Sequence, residues 1–294
     1  MIELLSLKIG KQCLGDFQVT KVIAEVGINH NGNFDLALKH CNLATASGAD
    51  FVKLHLAYAK NMINLDSKRS AWSDKHDKNE DPIDQFVSRM ELSREEYIEL
   101  KSVVESSGAK LMMSVYDMEA AEDALSMGIQ DIKLASCDFT KVDMIKYLTQ
   151  YVDHLYLATG MVTEDELSDA KSYINPEKTT VMHCISRYPT PYEDLNISFI
   201  NTLRSYGWRV GYSDHTKGIG SCAISLQYSP EIIEKHFVIA DTHLCPDLAV
   251  SCTPREMTEL CALAHNIDSV LGDGSRQMTS EEFTNRAKFR DRWS

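Results

Sequence analysis

The run Gly211-Tyr212-Ser213-Asp214-His215-Thr216 closes one strand-like segment, and Glu234-Lys235-His236-Phe237 closes the next after a gap of helix length. Each run therefore carries a histidine near its C-terminal end. Two such histidines can meet only if the strands lie parallel and the residues between them form a crossover helix. The carboxyl ends of parallel barrel strands meet at one mouth, where such folds bind ligands. The stretch thus predicts a barrel with a candidate metal site at that mouth.

The same alternation of strand and helix patterns runs along most of the chain. Eight strand-like runs lie at 21–26, 51–56, 110–115, 131–135, 155–159, 180–184, 208–213 and 232–237. Helical patterns lie between them, two with capping boxes, in which Ser93 pairs with Glu96 and Thr163 with Glu166. Repeated βα units favour an α/β fold of the (β/α)8 TIM-barrel type over an open doubly wound sheet.

The 294 residues fit one large catalytic domain with short additions at both ends. Residues 1–20 alternate weakly and predict an N-terminal hairpin that caps the barrel, residues 21–275 form the barrel, and residues 276–294 form a helical tail. The charged connection 58–92 is too long for an ordinary loop, so we expect a lid over the mouth. A solvated surface insertion is the alternative.

Composition excludes several classes of protein. A hydrophobic share of 44% and a charged share of 25% are ordinary for a soluble domain. The net charge of −13 argues against a nucleic-acid partner. No apolar run approaches the ~20 residues of a membrane span, and the first residues lack the apolar core of a signal peptide, so we expect a cytoplasmic protein. The 8 cysteines form no CxxC pair and are expected to be reduced thiols.

Polar side chains gather at the predicted strand ends. They are Glu25, Lys53, His55, Ser114, Lys133, Ser136, Thr159, His183, Ser213, Asp214, His215 and His236. Lysines and hydroxyl groups on neighbouring strands indicate an anion site for phosphate or carboxylate. Two histidines supply half of a metal shell and leave positions for water and substrate. Each of these residues could have a structural role on its own. Their occurrence together at the strand ends favours an active site.

Seven ordered motifs of the chain resemble the sialic acid synthase family (NeuB type) across the barrel, from residue 20 to residue 272. The motifs are 23–32 (IAEVGINHNG), 48–53 (GADFVK), 133–136 (KLAS), 158–161 (ATGM), 183–189 (HCISRYP), 211–216 (GYSDHT) and 234–237 (EKHF). This resemblance implies condensation of phosphoenolpyruvate with the open-chain aldehyde of an N-acetylated hexosamine. The products are a nine-carbon 3-deoxy-2-ulosonic acid and phosphate.

The resemblance also implies roles for individual residues. His215 and His236 would hold a divalent metal, Mn²⁺ in the first place and otherwise Mg²⁺ or Co²⁺, that polarises the aldehyde oxygen. Glu25 would serve the proton transfers or steady the cationic centre at C2. The remaining implied residues bind substrate: Lys53, His55, Ser114, Lys133, Ser136, Asp138, Thr159, Ser186, Tyr188, Ser213 and Asp247. Among them, Asp247 and Tyr188 would line the acceptor side.

Several positions depart from the family pattern. The family usually has Lys-Phe-Gln where this chain has Lys53-Leu54-His55, and Ser-Thr-Gly-Met where it has Ala158 first; Ser186 replaces a frequent Asn. Family members also continue into an antifreeze-like (SAF) domain that supplies an arginine to the acceptor across a dimer. This sequence ends near that linker, which leaves open a homodimer or a separate SAF partner. Two alternatives follow: condensation with a non-acylated sugar aldehyde, or a degenerate barrel that only binds ligands.

Overall fold

The structure, a computed structural model, describes residues 19–61 and 83–290. Its strands are β1 (Lys21–Gly27), β2 (Phe51–Leu56), β3 (Lys110–Val115), β4 (Asp131–Leu134), β5 (His154–Ala158), β6 (Thr179–Cys184), β7 (Arg209–Asp214) and β8 (Ile232–His236). Its helices are α1 (Phe34–Ala46), α2 (Ile83–Met90), α3 (Arg94–Ser106), α4 (Met118–Ser126), α5 (Val142–Tyr151), α6 (Glu164–Ala170), α7 (Phe199–Ser205), α8 (Gly220–Ser225), α9 (Pro254–His265), α10 (Ile267–Leu271) and α11 (Ser280–Phe289).

The eight strands form one closed barrel in sequence order. Every neighbouring pair is parallel, and β1 pairs with β8 through Lys21–Glu25 and Ile232–His236 to close the ring. The predicted TIM barrel is therefore confirmed, and each predicted strand matches an observed one to within a residue or so at either end. Closure brings the ends of β7 and β8 next to that of β1.

Strand alternation divides the buried residues into two sets. Outward-facing apolar residues pack against the helices in one large core, in which α1 contributes Ala37, Cys41 and Ala44. Inward-facing residues from six strands fill the barrel itself and form a separate cluster: Ile23, Phe51, Met112, Tyr156, Met182 and Ile232. This cluster closes the barrel below its mouth and forms the floor of the polar layer above it.

The predicted helix signals are present. Ser93 and Glu96 form the capping box of α3, and Thr163 and Glu166 form that of α6. Two further boxes, which the sequence analysis missed, begin α9 at Thr253 and α11 at Thr279. At each of these helix starts, the Ser or Thr side chain accepts a hydrogen bond from the backbone N–H of the Glu three residues later. The Glu side chain in turn accepts one from the backbone N–H of the Ser or Thr.

The predicted lid is partly described. Residues 59–61 form a 3₁₀ turn, and α2 follows residues 62–82, which lie outside the described residues. Phe86 and Val87 of α2 pack on Ile28 and Tyr116 beside the mouth, so this connection contains a helix rather than open loop alone. The predicted hairpin lies almost wholly outside the described residues, and α11 falls within the predicted tail. None of the helices within residues 19–61 and 83–290 combines the length and the apolar composition that a membrane span requires.

Candidate active site

A buried network of four charged side chains lies on the barrel floor. Lys53 Nζ lies 3.0 Å from Glu25 Oε2 and 3.1 Å from Glu234 Oε2, while Lys133 Nζ pairs with Glu234 Oε1. All four side chains are 6% exposed or less. They meet because β1, β2, β4 and β8 each turn an alternate residue into the barrel near the carboxyl end of the strand.

Two hydroxyl groups complete this layer. Lys53 donates a hydrogen bond to Ser114 Oγ at 2.8 Å, and Ser213 donates one to Glu234 Oε1 at 2.8 Å. Lys133 Nζ also lies 3.4 Å from Ser213 Oγ. The two lysines and two serines that the sequence analysis assigned to an anion site thus lie together, and anion binding there stays a prediction.

The electrostatics of the network favour the ionised forms of Glu25, Lys53 and Glu234. Burial alone opposes the charged form of Lys53, but Glu234 and Glu25 outweigh it and raise the pKa of the ammonium group. Burial likewise opposes the carboxylates, yet Lys133 and Lys53 lower the pKa of Glu234, and Lys53 with His55 lowers that of Glu25. Burial dominates at Lys133 and lowers its pKa. The four charges balance, so an added anion would bring uncompensated negative charge.

Glu25 is aimed into the site by a local irregularity of β1. The pairing register with β2 shifts between Glu25 and Gly27, and Gly27 adopts a positive φ of 54°. A Cβ at Gly27 would lie 2.8 Å from Glu25 Oε1, so the side chain of any other residue would collide with the carboxylate. The glycine therefore both permits the bend and leaves room for Glu25.

His55 lies directly beside Glu25. Its Nε2 is 2.7 Å from Glu25 Oε1, and the Tyr116 hydroxyl lies 3.1 Å from its Nδ1. Burial, and then the charge of Glu25, raise the pKa of Tyr116 well above its usual value. Tyr116 follows β3 by one residue and was not among the predicted site residues.

The two candidate metal ligands also meet at the mouth. The rings of His215 and His236 have centroids 5.4 Å apart, and the ring of Tyr188 lies 3.9 Å from that of His215. His215 Nδ1 lies 2.8 Å from the carbonyl oxygen of Ile185, and a ring that donates there from Nδ1 can offer its Nε2 to a metal ion. Asp247 Oδ2 lies 3.4 Å from His236 Nδ1.

Asn29 ties the Asp247 segment to the mouth. Its side-chain amide donates to the carbonyl of Phe237 at 2.9 Å, and its Oδ1 accepts from the backbone N–H of Asp247 at 3.1 Å. His243 Nε2 also lies 2.8 Å from the backbone carbonyl oxygen of Asn29. The motif that contains Asn29 thus positions the loop after β8.

Two further predicted residues, Ser136 and Ser186, lie close together beside Gly160. Gly160 N donates to Ser136 Oγ at 3.0 Å. A Cβ at Gly160 would lie 2.2 Å from Ser186 Oγ and 2.7 Å from Ser136 Oγ, so the two hydroxyls approach this glycine from both sides. Two hydroxyl groups that lie this close together are suited to the oxygen atoms of an anion.

Four predicted residues lie apart from this arrangement. The Thr159 hydroxyl donates to the carbonyl of Met182, and Asp138 is paired with Lys141 at 2.7 Å. His183 binds the carbonyl of Leu195 and stacks on Tyr212 outside the barrel. Asp214 faces the helices and binds Lys235. His183 and Asp214 were expected at the mouth; this was wrong, because adjacent strand residues face opposite sides.

The protein residues at the mouth can supply only part of the coordination shell of a metal ion. Within residues 19–61 and 83–290, no group of three or more His, Cys, Asp or Glu side chains could hold a metal ion. The pair His215 and His236 offers two nitrogen ligands; the buried Nδ1 of His236 makes no well-angled hydrogen bond in the described part of the chain, although Asp247 Oδ2 lies 3.4 Å away. A catalytic ion with two protein ligands would take its other ligands from water and substrates.

A closed parallel (β/α)8 barrel with two buried lysines and a histidine pair at its mouth belongs to the class of TIM-barrel folds, whose active sites lie at the carboxyl ends of the strands. Within that class, the chain belongs to the NeuB family, whose model matches residues 29–276.

Similar proteins are known from several bacteria. The chain is 30% identical over 272 residues to an N,N'-diacetyllegionaminic acid synthase of Campylobacter jejuni, covering 90% of this chain and 81% of that protein. It is 29% identical to a protein of the same name from Legionella pneumophila, over 92% of this chain and 78% of that one. The solved N-acetylneuraminic acid synthetase of Leptospira borgpetersenii, in complex with citrate, superposes with a TM-score of 0.76 at 26% identity, over 92% and 93% of the two chains.

Proposed function

We propose that this protein condenses phosphoenolpyruvate with the open-chain aldehyde of an N-acetylated hexosamine similar to N-acetylmannosamine. The products would be a nine-carbon 3-deoxy-2-ulosonic acid and phosphate. One observation carries this proposal: Lys53 and Lys133 are both buried in a barrel whose family makes such acids, with Ser114 and Ser213 beside them. Similar proteins named as legionaminic and N-acetylneuraminic acid synthases support the reaction class.

The lysine layer would bind the donor. Phosphoenolpyruvate carries a phosphate and a carboxylate, and two ammonium groups with two hydroxyl donors can satisfy oxygen atoms of both. The hydroxyl groups of Ser136 and Ser186, held beside Gly160, offer further donors. This arrangement would hold the C2–C3 double bond between the lysine layer and the histidine pair.

A divalent metal ion, Mn²⁺ in the first place, would be held by His215 and His236. Charge supports it, because Glu25 and Glu234 already balance the two lysines and a bound donor would leave negative charge unpaired. Bound there, the ion would polarise the aldehyde carbonyl of the acceptor. Asp247, beside His236, would accept hydrogen bonds from acceptor hydroxyls.

Glu25 would act as the general base that accepts a proton from the attacking water. As C3 of the donor bonds to the aldehyde carbon, positive charge develops at C2, and the buried carboxylate of Glu25 favours that charge. Water then adds at C2 and loses a proton to this carboxylate. Elimination of phosphate from C2 leaves the 2-keto acid.

The test is phosphate release from phosphoenolpyruvate with Mn²⁺ and a panel of aldoses. We expect release with N-acetylmannosamine or a related 2-acetamido sugar, and its loss in His215→Ala and His236→Ala proteins that keep their circular dichroism. Equal rates with unacylated mannose would contradict the acceptor assignment and favour a non-acylated aldehyde. No release with any sugar would contradict the reaction class and leave a ligand-binding barrel.

A further inference from the structure

A single buried amide joins both ends of the loop that follows β8, residues 237–251. Asn29 Nδ2 donates to the carbonyl of Phe237 at 2.9 Å and to Ser251 Oγ at 3.0 Å. The Oδ1 of the same amide accepts from the backbone N–H of Asp247 at 3.1 Å. Asn29 is 0% exposed, so water cannot replace these partners. Because an unpaired buried amide costs free energy, the loop is stabilised in the conformation that pairs it.

Asp247 is held through its backbone on both sides. Its N–H donates to Asn29, and its carbonyl oxygen accepts from Ser251 Oγ at 2.8 Å. Since Ser251 Oγ also accepts from Asn29, the three residues form a closed ring of hydrogen bonds. The carboxylate of Asp247 takes no part in this ring. Its Oδ2 lies 3.4 Å from His236 Nδ1, and the side chain is 19% exposed, so it remains available to a ligand at the mouth.

Backbone hydrogen bonds fix the two ends of this loop to each other. Val238 N donates to the carbonyl of Cys252 at 3.0 Å, and Cys252 N donates to the carbonyl of His236 at 2.7 Å. Between these ends, the chain forms one 3₁₀ turn, Leu248–Val250, and neither a strand nor an α-helix. The position of Asp247 within the loop therefore depends on side-chain contacts, and the barrel can keep its fold when one of those contacts is removed.

We propose that Asn29 and Ser251 are positioning residues that hold the carboxylate of Asp247 where it binds a hydroxyl group of the acceptor sugar. This inference rests on the proposed condensation. The two residues act through Asp247 and touch neither substrate. They should therefore control the binding of the sugar and not that of phosphoenolpyruvate, which the lysine layer would bind.

Steady-state kinetics of Ser251→Ala test this role. The substitution removes the hydroxyl that joins Asn29 to the carbonyl of Asp247. With N-acetylmannosamine, or the aldose of the panel that reacts fastest, the KM for the sugar should rise about three- to tenfold, as expected for the loss of one or two hydrogen bonds. The KM for phosphoenolpyruvate should change less than about twofold, because the substitution leaves the lysine layer intact. A rise in both KM values, or in neither, would overturn the inference.

Ser47→Ala is the matched control. Ser47 Oγ donates to the carbonyl of Leu43 at 2.8 Å and to that of Pro254 at 3.2 Å, so it also links two segments of the chain, but it does not contact Asp247. The control should leave both KM values unchanged.

A double-mutant cycle shows whether Ser251 acts through Asp247. Substitutions at independent sites have additive effects on free energy, whereas residues that act through one another do not. In an Asp247→Ala background, Ser251→Ala should therefore change the KM for the sugar less than about twofold. Additive effects of the two substitutions would overturn the inference.

Hydrogen exchange measures the position of the loop without turnover. Backbone amides of residues 238–250 should exchange faster in Ser251→Ala and in Asn29→Ala than in wild type or Ser47→Ala, and those of β8 should not. If Asn29→Ala does not fold, Ser251→Ala still decides the result. Unchanged exchange in this loop would overturn the inference even if the enzyme is active. If the wild-type protein turns over no aldose, the proposed condensation itself fails, whatever the exchange data show.

Discussion

Two buried charge networks lie on opposite faces of the same two strands. On the inner face of β7 and β8, Ser213 and Glu234 bind Lys53 and Lys133 in the polar layer above the barrel floor. On the outer face, Asp214 and Lys235 form an ion pair at 2.6 Å with both side chains 0% exposed. The two networks contain residues that are adjacent in sequence. They differ in which face of the sheet the side chains occupy, since Ser213 and Glu234 face the barrel interior and Asp214 and Lys235 face the helices.

The outer network is complete. Asp214 accepts hydrogen bonds from the hydroxyls of Tyr212, Ser221 and Thr216, and Lys235 also donates to the carbonyl of Thr216. In the inner network, both oxygens of Glu25 and Oε2 of Glu234 are ion-paired but accept no well-angled hydrogen bond from any described residue. A satisfied buried network stabilises a fold, whereas one with spare capacity can still accept a ligand.

Removal of the outer carboxylate should have the largest effect, and it should be on stability. Asp214→Asn leaves the Lys235 ammonium buried without a counter-ion, which typically costs about 3–5 kcal/mol. Urea denaturation should show this loss in the free energy of unfolding. Asp194→Asn, which breaks an exposed pair with Arg187, is the control and should cost at most about 1 kcal/mol. Equal losses in the two variants would remove the distinction drawn for the outer network.

Removal of an inner lysine should affect catalysis in addition to stability, because it also leaves buried carboxylates without a counter-ion. Lys53→Met deletes one charged donor to the substrate, and such hydrogen bonds contribute about 1.5–3 kcal/mol, so kcat/KM for phosphoenolpyruvate should fall up to about 100-fold. Lys110→Met removes a lysine paired with Asp131 at the other end of the barrel and should leave the rate unchanged. If Lys53→Met kept its kcat/KM, the inner network would be structural like the outer one.

Acid pH should weaken both networks. The difference in stability that it causes between them should be smaller than the effects of the two substitutions above. Burial opposes ionisation of Asp214, but Lys235 and the hydroxyl donors outweigh it and lower its pKa. A lowered pKa in the folded state means that the stabilisation is present above the unfolded value of about 3.9 and is lost as the pH falls through the folded one. Between pH 7 and pH 3, Asp214→Asn should therefore lose less stability than wild type. A loss equal to that of wild type would contradict the ionised pair.

The sequence predicted the barrel because periodicity is a local property. Each strand and each helix start could be recognised from a few adjacent residues, such as Ser93 and Glu96. The lysines and histidines of the mouth could likewise be found, because charged residues at strand ends are unusual. The catalytic role of each stays a prediction.

The faces of the strands were harder to assign. The sequence analysis placed Asp214 with Ser213 and His215, although a two-residue period puts it on the other side. The same period would have found Glu234, which lies two residues before His236, and Tyr116, two residues after Ser114. The contact between Glu25 and His55 could not be predicted, because it depends on the register shift between β1 and β2.

The most direct test of the account follows the bridging oxygen of phosphoenolpyruvate. With ¹⁸O between C2 and phosphorus, N-acetylmannosamine as acceptor and Mn²⁺ present, the phosphate released should carry the label, because water adds at C2 and the C–O bond breaks. Mass spectrometry should also show one nine-carbon keto acid per phosphate. Unlabelled phosphate, or phosphate without the acid, would contradict a condensation at the lysine layer and its histidine pair.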